Sequence, residues 1–350
     1  MKTLVLAAPG RFDRIETPEP AAPGPGEAVV RLCRVGICGT DLHAFRGRQP
    51  FFAYPRVLGH ELGAEVVALG PGVEHLRLGD RVAVEPYLEC GACLPCRQDR
   101  YNCCEHLQVL GVHVDGGMCE RLRLPARKLH PSATLTLDQL VLVETLAIGA
   151  HAVARARLEP GEIVLVIGAG PIGLATALAS LLAGARVYVL ERDEGRRAAA
   201  VSLGGSLDPG DGGPAGVFGP LDPSALPAAQ LSTRCGGELP TCVLDATGSR
   251  GSMEAAFAYP ASGGRLVFVG FQPESLSFAN PEFHRRELTL LASRNSTAAE
   301  FTQVIQMLEA GRLDPTPWIT HRADYDNLAA TFPSWLEPET GVLKAVLDLE

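Results

Sequence analysis

The sequence predicts an α/β protein of two domains, a mostly-β domain followed by a doubly wound parallel sheet. Three observations carry this. The 350 residues, 46% hydrophobic and 20% charged, exceed what one average domain needs and supply a substantial core. Up to about residue 145, short Val/Ile/Leu runs alternate with Gly and Pro, as at 27–35, 63–69 and 81–85, which is the pattern of strands and turns. From about 150 the pattern becomes a βαβ series, with strands expected at 163–167, 186–190, 242–245 and 265–269 and helices at 171–183 and 194–203.

Taken in order, residues 1–9 carry a short apolar run closed by Pro9 and Gly10, without the h-region and cleavage site of a signal peptide, and read as a first strand. The stretch 163–185 holds twenty-three residues without a charge, long enough for a membrane span. Gly168, Gly170, Pro171 and Gly173 divide it instead into a buried strand, a tight turn and a crossover helix. Between 204 and 227 Gly and Pro recur densely, so a helix-strand step there is expected to be eroded or looped. A last apolar strand follows at 288–292 and a helix at 301–308. Strands are expected again over 318–350, closing with 342–349, so the tail should return to the first domain. The domains are therefore expected at 1–149, joined by 295–350, and at 150–294.

A net charge of -9 argues against nucleic acid or an anionic membrane surface as partner. Lysine occurs only at Lys2, Lys128 and Lys344, outside any recognisable motif, so Schiff-base chemistry is set aside. Five of the ten cysteines fall at Cys90, Cys93, Cys96, Cys103 and Cys104. Such spacing suits one tetrahedral ion better than disulfide loops, which implies a reducing, cytoplasmic compartment.

Gly168-Ala169-Gly170-Pro171-Ile172-Gly173 follows an expected strand and opens an expected helix. The glycines permit a tight turn and close approach, while the helix N-terminus offers free N–H groups to a pyrophosphate. Glu191 ends the second strand of the series, where a carboxylate accepts from both ribose hydroxyls and repels a 2'-phosphate, so NAD is expected over NADP. The adjacent Arg192 could instead accommodate that phosphate. Thr247 and Val269, beside the later strands, are assigned to the same cofactor site.

Cys90, Cys93, Cys96 and Cys104 offer a closed four-sulfur set, the signature of a structural zinc; Cys103 competes with its neighbour, and Cys104 is chosen from the spacing. A second set is dispersed: Cys38-Gly39-Thr40-Asp41-Leu42-His43, Gly59-His60-Glu61 and Glu144. Taken singly, Cys38 reads as a buried core thiol and His60 as a satisfied loop histidine.

Together these motifs, in this order and spacing, resemble the zinc-dependent medium-chain alcohol and polyol dehydrogenases over essentially the whole chain. The resemblance implies a GroES-like catalytic domain and a Rossmann-type cofactor domain. It also implies a catalytic zinc held by Cys38, His60 and Glu144, with Glu61 as an occasional or second ligand and Asp41 orienting His60. The segments 49–52, 111–117, 280–284, 293–295 and 320–322 look like the bacterial L-galactonate and L-gulonate 5-dehydrogenase branch, which acts on a secondary alcohol of a sugar acid.

In such an enzyme zinc lowers the pKa of the alcohol and hydride leaves for the nicotinamide ring. Thr40 is expected to relay the proton toward His43. Arg294 is the candidate anchor for a substrate carboxylate, with Arg46, Arg48 and His113 behind it; Arg294 could also contact the cofactor or only end a strand. A threonine or polyol dehydrogenase on the same scaffold is the rival enzyme. An idle member serving as a binding protein would have lost a zinc ligand or the glycine turn, and neither is lost. The expected partners are a small-molecule substrate and a second copy, in a homodimer or homotetramer built through the cofactor domains.

Overall fold

A computed structural model describes residues 1–202, 217–221, 231–233 and 235–349 of the chain. It divides into two compact units, Met1–Glu144 with Thr297–Glu350, and Thr145–Ser296. These boundaries fall a few residues from the expected 149/150 and 294/295. The helix Val143–Ala156 explains the first difference, because its opening turn belongs with the earlier residues and the rest with the later ones.

The first unit is organised by the strand Glu27–Ile37, whose apolar residues are buried along most of its length. It pairs antiparallel with Glu61–Leu69, with Arg121–Pro125 and, at its C-terminal end, with Lys344–Asp348. Ile319–Asp324 extends the sheet beyond Lys344–Asp348, and Arg81–Val84 and Leu129–Ser132 extend it on the other side. The tail therefore completes the sheet that Glu27–Ile37 organises. Leu4, Leu6, Val30, Leu32, Leu58, Leu62 and Phe332 fill the core. Tail residues between those two strands form short helical turns rather than further strands, because prolines at 333 and 338 interrupt them.

The second unit is a six-stranded parallel sheet in the order Val217–Leu221, Arg186–Leu190, Ile163–Ile167, Cys242–Asp245, Arg265–Phe268, Thr289–Ala292. The chain reverses its direction of progress between the third and fourth of these, the point at which open α/β sheets bind ligands. All residues of Ile163–Ile167 are buried, so the charge-free run at 163–185 resolves into this strand and the helix Pro171–Leu182. Of the Gly/Pro-rich stretch 204–227, Val217–Leu221 is a strand and the remainder lies outside the described residues. Thr289–Ala292 forms the sheet edge, its residues largely exposed.

Candidate active site

In the first unit, Cys38 stands between the end of Glu27–Ile37 and the helix Gly39–Phe45. Its backbone N–H donates to Asp41 Oδ2 at 2.8 Å, a capping arrangement that fixes the thiol at the helix start. Gly59, at φ 97°, turns the chain into His60, and Glu61 opens the strand Glu61–Leu69. One ligand atom from each of Cys38, His60 and Glu61 lies within 4.8 Å of the others. His60 and Glu61 are buried, and Cys38 is partly so.

Glu144 is not in that trio. It is buried in the first turn of Val143–Ala156, and its carboxylate accepts the Tyr87 hydroxyl. Burial raises its pKa, Glu61 adds to the rise, and His60 opposes it, so all three groups share one electrostatic field. The structure thus presents two carboxylates, with Glu61 closer to Cys38 and His60 than the expected order of ligands placed it.

Asp41 departs from its expected role. Its Oδ1 lies 3.9 Å from His60 Nδ1, too far for a hydrogen bond, and both atoms are buried without a partner. The other oxygen is occupied in capping the helix, which holds the carboxylate back. Burial pushes His60 down, but Asp41, Cys38 and Glu144 more than reverse this and hold its imidazole well above the ordinary range. A buried group of anions with orphaned donor atoms is the environment that a divalent cation satisfies, and thiolate, imidazole and carboxylate are the donors that zinc takes.

Thr40 and His43 follow on the same helix, three residues apart and so on one face. Thr40 Oγ1 is 3.8 Å from Cys38 Sγ. His43 is exposed, and partial burial with the Arg46 and Arg48 guanidinium groups lowers its pKa below 6.5. Of the anchor candidates here, Arg48 is exposed, Arg46 donates to the Leu336 carbonyl at 2.6 Å, and His113 Nδ1 accepts from Val109 N at 3.1 Å.

Two site residues escaped the sequence reading. Lys344 Nζ is buried and lies 2.6 and 2.7 Å from the two Glu61 oxygens. Its signal was a lysine inside an apolar terminal strand. Tyr87 carries no comparable signal, since only the fold brings it to Glu144.

The Cys90, Cys93, Cys96 and Cys104 sulfurs all lie within 4.8 Å of one another, with 3.4 Å between Cys93 and Cys96 and 3.8 Å between Cys93 and Cys104. A tetrahedron with Zn–S near 2.3 Å spaces its sulfurs by about 3.8 Å. Cys103 is exposed and outside the set. Backbone N–H groups of Ala92 and Cys93 donate to Cys90 and bring its thiol down to about 6, while burial pushes Cys96 up to about 12. None of the ten cysteines is in a disulfide.

In the second unit the cofactor candidates gather at the C-terminal ends of the strands. Gly168 takes φ 95°, and a Cβ on Gly173 would lie 1.9 Å from the Gly168 carbonyl, so the strand-to-helix turn closes only on glycine. Nothing lies within 4 Å of a Cβ built on Gly170, which leaves that side of the turn open ahead of Pro171 and Ile172 at the helix start. Glu191 is buried and accepts from Ala169 N at 2.7 Å and Asp193 N at 2.8 Å. Arg192 points to solvent. Thr247 donates its N–H and hydroxyl to Asp245, and Val269 N donates to the Asp245 carbonyl, so the loops after two neighbouring strands are tied together. Arg294 follows the edge strand and is exposed. The open turn, free helix N–H groups and a carboxylate on the next strand fit a dinucleotide.

Residues 24–134 match the family model of the alcohol dehydrogenase GroES-like domain, and residues 171–310 that of zinc-binding dehydrogenases. The chain is 41% identical over 327 residues to L-galactonate-5-dehydrogenase of Escherichia coli K12, covering 93% of this chain and 92% of that protein. It is 30% identical to 2-dehydro-3-deoxy-L-galactonate 5-dehydrogenase of Pseudoalteromonas atlantica, over 89% of this chain and 88% of that one. Among solved structures, the alcohol dehydrogenase RspB of Escherichia coli CFT073, complexed with NADH, superposes with a TM-score of 0.88 at 30% identity, covering 100% of this chain and 99% of the other. The chain therefore belongs to the zinc-type, medium-chain alcohol dehydrogenases, enzymes that carry hydride between an alcohol and a nicotinamide dinucleotide.

Proposed function

We propose that this enzyme oxidises a secondary alcohol of a sugar acid, of the L-galactonate or L-gulonate type, with NAD as hydride acceptor. The observation that carries the substrate class is the 41% identity to an L-galactonate dehydrogenase across 93% of the chain. Cys38 and His60 hold the catalytic zinc together with a carboxylate, Glu144 first and Glu61 as the alternative, and Cys90, Cys93, Cys96 and Cys104 hold a structural one. Zinc, when bound, lowers the pKa of an alcohol and polarises a carbonyl.

The chain's own residues do the rest. Thr40 passes the alcohol proton along the helix face to His43, whose lowered pKa keeps its imidazole neutral and able to accept. The glycine turn from Gly168 to Gly173 and the start of the helix at Pro171 and Ile172 receive the pyrophosphate, and Glu191 takes the ribose hydroxyls. Thr247 and Val269 line the path across the sheet toward the nicotinamide end. Arg294 is the first candidate to hold the substrate carboxylate, and Arg48 and His113 are the alternatives to it. The exposed edge strand Thr289–Ala292 pairs copies into a dimer, and the metal-type spacing of the cysteine lobe accords with a cytoplasmic setting.

The test is NAD-linked turnover over L-galactonate, L-gulonate, L-threonine, sorbitol and ethanol. The two hexonates should give the highest kcat/KM. Better turnover of sorbitol or threonine would overturn the substrate class.

A further inference from the structure

Lys128 is buried where the short helical turn Ala126–Lys128 enters the strand Leu129–Ser132. That strand pairs with Arg81–Val84, and the Glu85 N–H donates to the Lys128 carbonyl at 2.8 Å, so the ladder runs on by one residue. The Lys128 ammonium lies 2.5 Å from Glu85 Oε1 and 2.6 Å from Glu89 Oε2. Each carboxylate has a second partner: His130 Nε2 lies 3.2 Å from Glu85 Oε2, and Arg127 donates to Glu89 Oε1 at 2.8 Å. One cation therefore staples the chain across residues 86–88, whose middle member is Tyr87.

The stapled segment joins two sites. Tyr87 is buried and donates its hydroxyl to Glu144, while Glu89 is followed directly by Cys90 of the four-sulfur set. The Cys90 N–H in turn donates to Cys104 Sγ at 3.3 Å. Tyr87–Leu88 pairs with Gln108–Val109 in a ladder of only two residue pairs. A hydroxyl that drifts by about an ångström loses its hydrogen bond to a carboxylate, so the phenol needs a firmer hold than this ladder gives. Lys128 binds the residues two before and two after it. Setting an ammonium between carboxylates in a dry interior is a poor source of stability, because apolar residues of similar volume often do as well. It does impose a geometry: either carboxylate that leaves the ammonium gives up its main compensation for a buried charge.

We propose that Lys128 is a positioning residue, which by clasping Glu85 and Glu89 holds the Tyr87 phenol on Glu144 and makes the root of the cysteine lobe part of the support of the reactive centre. Tyr87 occupies Glu144 Oε1, so the orientation of that carboxylate follows the phenol. This rests on the reading of Glu144 as a group of the reactive centre.

The experiment uses the full-length enzyme with its tyrosines isotope-labelled at the ring Cζ, observed by NMR. The resonance lost in Tyr87→Phe is that of Tyr87, and it reports the phenol's hydrogen bond without metal or substrate. In Lys128→Met this resonance should move toward that of a free phenol, and kcat for NAD-linked alcohol oxidation should fall about tenfold with little change in KM for NAD. Glu89→Gln leaves the Lys128–Glu85 pair charge-balanced and releases the lobe side, so it should move the resonance in the same direction and by less. Tyr87→Phe should lower kcat by a similar factor, and Lys128→Met added to it should lower kcat no further.

A Tyr87 resonance unmoved in Lys128→Met would overturn the proposal. So would a Lys128→Met loss of kcat as large in the Tyr87→Phe background as alone, because the lysine would then act on the fold and not through the phenol. Should Lys128→Met not fold, Glu89→Gln decides by the same two readouts, alone and combined with Tyr87→Phe. If the unaltered protein takes up one zinc per chain, held by the four cysteines, the reading of Glu144 fails. That result leaves the Tyr87 resonance to answer separately for Lys128.

Discussion

Glu191 accepts a hydrogen bond from the Ala169 backbone N–H at 2.7 Å, so the acid that ends one strand is latched to the glycine turn after its neighbour. The latch fixes a negative charge where the adenosine ribose of a dinucleotide belongs. We predict NAD over NADP by at least about tenfold, on the order of 1.4 kcal/mol. Glu191→Gln keeps an acceptor for Ala169 and removes the charge, so it should narrow the ratio without disturbing the turn. Equal use of both cofactors by the unaltered enzyme would remove the claim.

His43 sets a pH limb. Burial, Arg46 and Arg48 lower its pKa from 6.5, so the neutral, proton-accepting imidazole persists below that pH and is lost only as pH falls through the lowered value. Alcohol oxidation should therefore be sustained above the limb and decline below it. Arg46→Gln should move the limb to higher pH, and His43→Ala should abolish it. A limb unchanged in His43→Ala would place the relay elsewhere.

The two metal sites should differ in lability. Four sulfurs close one site, whereas the Cys38 and His60 site has a position for substrate and so for a chelator. Mild chelation should remove about one zinc per chain together with the activity, and leave the fold intact by circular dichroism. Retention of full activity after loss of one zinc would contradict the assignment.

If Arg294 anchors a carboxylate, Arg294→Ala should raise KM for the hexonate by one to two orders of magnitude, roughly 1.5 to 3 kcal/mol for a charge-assisted hydrogen bond. A neutral alcohol of similar length should be turned over as before. Uniform loss on every substrate would move Arg294 to the cofactor.

The edge strand Thr289–Ala292 should pair with a second copy. Leu290 is 40% exposed on it, and Leu290→Lys introduces the charge that blunts sheet edges, so sedimentation should shift toward the single chain. A wild-type protein that sediments as one chain at micromolar concentration would contradict dimer formation.

What could be read before folding was what is local. The cysteine lobe and the turn from Gly168 to Gly173 each lie within one short segment, where spacing dictates geometry, and the charge-free strand at 163–167 announces burial on both faces. Cys38, His60 and Glu144 came from family spacing, because no local rule brings them together. The partners that tune them were illegible for the same reason. Tyr87 meets Glu144 and Lys344 meets Glu61 only through sheet pairing, and Asp41 could be judged a helix cap rather than a histidine partner only from its 3.9 Å separation. The boundary between the units carries no local signal, because one continuous helix, Val143–Ala156, runs through it.

The tail strand that closes the first sheet also sets an order in time. Glu61 and Lys344 are 283 residues apart, which at about 5–20 residues per second is roughly a quarter of a minute to a minute of synthesis. Throughout that interval Cys38, His60 and Glu61 exist on a nascent chain without the ammonium that separates their charges. The cysteine lobe closes within a span of 14 residues and has no such wait. Ribosomal delivery thus completes the four-sulfur lobe with all its own partners early, and leaves the reactive centre to reach its final set of contacts only when the last strand is added.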